Sequence, residues 1–120
     1  MYLEKKAFDY TAEILNSDGF DYVFQDIILK NGVFGDVVDK DGILDGERGL
    51  IDGTPYRTIE TDQIDDGTFA IDAFLYAEQG KDLIRETKTA STWKVGIVTR
   101  AKGAGTSIEM KTLIPQIDTV

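Results

Sequence analysis

The sequence predicts a mainly β protein: a small single-domain β barrel or sandwich over residues 1–120, with extended arms at 1–10 and 107–120 and at most one short helix. Three observations predict it. Twelve Gly against two Pro cut the chain into short segments, which suits strands better than long helices. Several of those segments are rich in β-branched and aromatic residues. The third observation is alternation: in Gly67–Tyr76 the residues Phe69, Ile71, Ala73 and Leu75 share one face at period two, opposite Thr68, Ala70, Asp72, Phe74 and Tyr76.

In chain order, Glu4 to Leu15 fits two patterns. Phe8, Tyr10, Ala12 and Ile14 alternate as in a strand, while Ala7, Thr11, Ile14 and Leu15 fit helical spacing; the strand reading is preferred. Phe20–Phe24 and Asp26–Leu29 are short apolar runs of strand composition, and Gly67–Tyr76 carries aromatics on both faces, as an interior or interface strand would. Lys81–Lys88 is the candidate for the one short helix or for a charged loop, with few apolar positions to bury. Trp93–Thr99 is the strongest β run. From Ser107 to Val120 Gly is absent, polar and apolar residues alternate as far as Met110, and Pro115 has no N–H for a central ladder. An extended arm or edge strand is expected there. No repeat of fixed period is found.

A chain of 120 residues and 13.3 kDa, 42% hydrophobic, suits one core. Thirteen Lys and Arg against 22 Asp and Glu give a formal charge of −9, and the densest basic stretch is only Arg100-Ala101-Lys102. Nucleic-acid binding needs clustered cations, so it is not expected. No apolar run reaches the ~18 residues of a membrane span, and no secretory leader is recognisable. Cys and His are both absent. Their absence removes thiol nucleophiles, disulfides, Cys/His zinc sites and Ser-His-Asp triads. No cofactor and no enzymatic activity are expected.

Residues 39–59, DKDGILDGERGLIDGTPYRTI, crowd acidic residues around glycines. An EF-hand loop with Gly42 at position 6 places Asp39 at 3 and Asp41 at 5, but Val37 at 1 and Arg48 at 12, where oxygen ligands are required. A looser calcium site using Asp36, Asp39, Asp41, Asp45 and Glu47 is the alternative, to be weighed against Asp41-Gly42 and Asp45-Gly46 as turn dipeptides; the turns are preferred. Carboxylate pairs at Asp65-Asp66 and at Glu60 with Asp62 suit acid–base chemistry only inside a cleft. Asp65-Asp66-Gly67 reads as a solvated turn. Gly103-Ala-Gly105 lacks the remainder of a phosphate-loop pattern. Trp93, next to the strongest β run, reads as core, with an interface anchor as the alternative. The five tyrosines are scattered, so core edges are preferred over a sugar-stacking face.

Gly32-Val-Phe-Gly-Asp-Val-Val38, Asp39-Lys-Asp-Gly-Ile43, Leu50-Ile-Asp-Gly-Thr-Pro-Tyr56, Ala70-Ile-Asp-Ala-Phe-Leu75 and Val95-Gly-Ile-Val98 follow one another in an order that resembles the small decoration or head proteins of tailed-bacteriophage capsids. The likeness is carried most by Gly53-Thr-Pro and covers a little over half the chain. Ile71-Asp-Ala-Phe74 and Glu78–Asp82 depart from the family's pattern. The resemblance implies a compact β barrel on the outside of a capsid, often trimeric, that joins neighbouring subunits of the major capsid protein. On that basis the expected role is a structural virion protein, made in the host cytoplasm and placed on the capsid surface. The expected contacts are Tyr2, Trp93, Ile108, Met110, Leu113, Ile114 and Ile117, lying mainly in the two arms and meeting the capsid protein and sister copies. A small calcium- or carbohydrate-binding β module is the alternative.

Overall fold

The computed structural model describes residues 10–117. Among the described residues nine strands form two antiparallel sheets packed as a sandwich rather than a closed barrel. The first holds β1 (Thr11–Leu15), β2 (Ile27–Lys30), β3 (Val33–Val37), β4 (Arg48–Asp52) and β7 (Gly80–Lys81) in the order β1-β4-β3-β2-β7. The second holds β5 (Thr58–Thr61), β6 (Phe74–Ala77), β8 (Trp93–Arg100) and β9 (Ile108–Ile117) in the order β5-β9-β8-β6.

The run Ile27-Ile28-Leu29 explains the layering. Successive strand residues point to opposite faces, and all three are buried, so the first sheet must be covered on both sides along β2. Ile27 and Leu29, with Phe34 of β3, meet Leu75, Val95, Val98, Ile108 and Met110 of the second sheet. Ile28 points the other way and packs with Val37, Ile51, Ile14 and the loop residues Tyr22 and Ile43. Each such side chain contributes about 1.5–3 kcal/mol on leaving water. The molecule is therefore three layers: a four-stranded sheet, a five-stranded sheet, and a layer of two loops.

That loop layer is pinned by Asn16, which is fully buried. Its Nδ2 donates to the carbonyls of Phe20 (2.8 Å) and Ile43 (2.9 Å), and its Oδ1 accepts from Asp18 N at 3.1 Å. Tyr22 and Ile43 pair through their backbones. Gly42 sits beneath Tyr22 at φ +77°, where a Cβ would strike the Tyr22 carbonyl, so only glycine fits both the turn and the approach. Asp41-Gly42 and Asp45-Gly46 are the turns that their residue types predict, with Gly46 at φ +82°.

Four strands are entered through the same kind of corner, with a left-handed residue just before β2 (Gln25, φ 71°), β4 (Gly46, φ 82°), β5 (Tyr56, φ 62°) and β6 (Asp72, φ 72°). At three of them the ring is closed by a backbone bond four residues across: Asp26 N to Val23 O, Glu47 N to Leu44 O, and Ala73 N to Ala70 O. This is type II geometry, which favours Gly at its third position; three of the four corners carry another residue, so the pattern is not legible as a glycine repeat.

For Lys81–Lys88 the loop reading holds and no helix forms: Lys81 ends β7, Ile84 is buried in the inter-sheet core, and Arg85 pairs with Tyr76 through the backbone. Two expectations are corrected. In Gly67–Tyr76 only Phe74 onward is strand, because Phe69 (φ 55°) and Asp72 (φ 72°) turn the chain; Phe69 is buried while Ile71 is 60% exposed. The residues from 107 onward are no arm. Ile108–Lys111 lies between β5 on one side and β8 on the other, and beyond Thr112 the strand pairs, among the described residues, with β8 alone. Pro115 fits because the pairing with β5 stops at Lys111, which makes this end of β9 an edge as its sequence suggests, and because the ladder to β8 bulges there: Gly96 pairs with Thr112 and Lys94 with Gln116, so Leu113, Ile114 and Pro115 together oppose Val95.

Candidate functional site

The residues expected in contact arms separate in the structure. Ile108 and Met110 are fully buried, which removes them as interface residues: alternation in β9 turns them into the inter-sheet core. Trp93 is half-buried against that core, in keeping with its preferred reading, and Leu113 is half-buried. Ile114 and Ile117 are exposed, at 53% and 63%. Ile114 and Pro115, with Tyr10, Val33 and Pro55, line an apolar groove of about 330 Å³. Tyr2 lies outside the described residues.

Two carboxylates of the acidic loop accept backbone hydrogen bonds, one within its own turn and one from the neighbouring loop. Asp39 Oδ1 accepts from Asp41 N (2.9 Å) and Asp45 Oδ1 from Gly19 N (3.0 Å), while Asp41 and Glu47 are exposed. Asp36 belongs to β3 and pairs with Arg57 instead. Among the described residues no three carboxylates converge on a point where a metal ion would sit. Of the other candidates, Asp65 Oδ1 accepts from Gly67 N at 2.9 Å in a local turn, and Glu60 pairs with Arg100 at 2.8 Å. Among the described residues no helix is long and apolar enough to cross a membrane.

A concavity of about 740 Å³ opens between the ends of β2 and β3 and the strand β5. Asp26, Asp36, Glu60 and Asp62 line it against the single guanidinium of Arg57, four negative charges and one positive. Asp26 is held by Lys81 (3.1 Å), and Asp62 is exposed. Gln63 closes the floor: its Oε1 accepts from Ile27 N (3.0 Å) and its Nε2 donates to the carbonyls of Ile27 (2.9 Å) and Asp82 (2.8 Å), as a neighbouring strand would. Arg57 ties the two sheets, pairing with Asp36 and donating to Asp52 O at 2.8 Å and Thr54 O at 3.3 Å. Burial raises the Asp52 carboxyl, but hydrogen bonds from Thr54 Oγ1 and N, with the Arg57 charge, outweigh it and hold the group below its ordinary range.

Beside this cleft the second sheet stops and the first continues. The register pairs Glu13 with Leu50, Leu15 with Arg48 and Asp36 with Asp52, which sets Glu13, Leu15, Arg48, Leu50, Asp52 and Asp36 on one face. That is the face from which Arg57 reaches Asp36, and beyond Arg57 nothing in the described residues covers it. Leu50 is 43% exposed, Leu15 38% and Val38 40%; Val38 N donates to Leu50 O at 3.3 Å, so the three adjoin. Phe24, 42% exposed, continues the apolar surface into the cleft. Sequence reasoning missed this face, because Leu15 and Leu50 are 35 positions apart and only the β1–β4 register brings them together.

No family model matches the chain, and no curated protein or solved structure matches it either.

Proposed function

We propose that this chain is a non-catalytic structural protein that works by attaching to a larger protein assembly. In the concrete form implied by the sequence resemblance, it decorates the outside of a phage capsid, contacts the major capsid protein and stabilises the shell. Oligomers of the chain, trimers among them, belong to the same proposal. One observation carries it: a sheet face left uncovered among the described residues, Leu15, Val38 and Leu50, running into an acidic cleft through Phe24. Adjoining exposed apolar side chains rimmed by charge mark association surfaces, whereas isolated ones do not. Asp36, Asp39, Asp45, Glu60 and Asp65 are engaged in turns, backbone contacts and ion pairs, which suits attachment better than acid–base chemistry.

Co-sedimentation with empty capsids, before and after expansion, tests the reading. Saturable binding at a fixed ratio to the major capsid protein is the expected result. An unbound chain at saturating concentration with both capsid forms overturns it.

A further inference from the structure

We infer that the uncovered face and the adjoining cleft form one docking surface for a basic, apolar protein segment, with aliphatic side chains seated on Leu15, Val38 and Leu50 and Lys or Arg reaching Asp62 and its neighbours. This rests on the attachment reading above and gives its partner a chemistry.

Two properties of the surface select that occupant. The apolar part asks for aliphatic groups, since what Leu50 and its neighbours gain on association is removal from water. The cleft asks for positive charge. Of its four carboxylates, Asp36, Asp26 and Glu60 are paired with Arg57, Lys81 and Arg100, which leaves a net −1 centred on Asp62, in a chain whose formal charge is −9. The Arg57 guanidinium is committed to Asp36, Asp52 and Thr54, whereas Asp62, exposed on the rim, is open to an incoming cation. A second copy of the chain would bring another −9 and set carboxylates against carboxylates. Charge complementarity of this kind sets partner choice and association rate more than raw affinity.

The continuity is structural. Asp36 lies in the cleft wall, two residues from Val38 and paired in register with Asp52, itself two residues from Leu50. A single extended segment can thus touch both parts.

The test uses the full chain, isotopically labelled, titrated with a soluble peptide of alternating Lys and Leu and with its Glu/Leu counterpart. The Lys/Leu peptide is expected to move amide resonances of 13–15, 24–26, 36–38, 48–50 and 60–62, weakening with salt, and the Glu/Leu peptide to move none. Asp62→Lys and Leu50→Ser should each weaken binding about fivefold or more. Asp41→Lys, the same charge change in the loop layer on the opposite face, and Ile71→Ser, at another exposed apolar site, should leave it within about twofold.

Shifts scattered over the molecule, or equal weakening by Asp62→Lys and Asp41→Lys, would overturn the inference, since binding would then follow overall charge alone. So would a self-associated chain in sedimentation that Leu50→Ser dissociates, because the face would belong to a second copy. Capsid binding unchanged by Leu50→Ser together with Asp62→Lys would overturn this surface and leave attachment standing. Localised peptide binding without capsid binding would do the reverse.

Discussion

Asn16 and Tyr22 show how much of the loop layer hangs on single side chains. Replacing Asn16 with Ala leaves the Phe20 and Ile43 carbonyls without their donor and Asp18 N without its acceptor. Unsatisfied buried groups are more costly than the mean hydrogen bond, so Asn16→Ala should lower unfolding free energy by about 2–4 kcal/mol in urea titration. Tyr22 makes a subtler prediction. Burial first, and then donation of its hydroxyl to Asp18 Oδ2 at 2.7 Å, push the phenol well above the ordinary 10.0. The folded state thus holds this proton where the unfolded state releases it, and the associated stability is whole below pH 10.0 and declines as pH rises beyond it. Tyr22→Phe should cost about 1 kcal/mol at neutral pH and show a shallower loss of stability on the alkaline side. A variant whose alkaline slope matches the parent would place the titrating group elsewhere. Asp52 has the opposite sign: its lowered pKa contributes stability above 3.8 that is lost as pH falls, and Asp52→Asn should flatten the acid limb.

At the scale of the element, β9 decides what truncation does. If the residues from 107 onward were a contact arm, their removal would leave the fold intact. Ile108, Met110 and Thr112 are instead buried, and β9 pairs with β5 and β8 at once. Deleting 107–120 is therefore expected to abolish the β circular-dichroism signal and cooperative melting, not merely a binding function. An intact fold after that deletion would contradict the strand order. The polar–apolar alternation up to Met110 was legible in the sequence and places Ile108 and Met110 on one face. That residues 108–111 lie between two strands was not, because Pro115 argues for an edge, which holds for the end of β9 beyond Lys111 but not for the stretch that β5 pairs with. That no helix forms at 81–88 has its own cause: too few apolar residues for a helical stripe, with Ile84 buried in the core by its partners rather than by a period of its own.

For the whole molecule, the question is whether two cores mean two folding units. Strand β2 serves both, with Ile28 in one and Leu29 in the other. Trp93 packs on the inter-sheet core, yet Ile28→Ala, in the opposite core, should lower the Trp93 fluorescence melting transition along with that seen by far-UV circular dichroism, at a cost of about 2–5 kcal/mol. A Trp93 transition left in place would mean that the loop layer unfolds alone. Calcium bears on the same scale: with no three carboxylates converging among the described residues, millimolar calcium should leave the melting temperature unchanged, since only a ligand of the native state raises it.

The sequence by itself determined the β class, the turns at Asp41-Gly42 and Asp45-Gly46, and the chemistries that the absence of Cys and His removes. These follow from composition, local backbone preference and period-two patterning, which act over a few residues. Only the tertiary structure decided that Ile27-Ile28-Leu29 is buried on both faces, that non-glycine residues hold three of the four left-handed corners, and that Leu15, Val38 and Leu50 adjoin beside an acidic cleft. The physical reason is the same in each case. A strand's partner, register and covering layer are set by residues far away in the chain, and a surface exists only after those pairings are made.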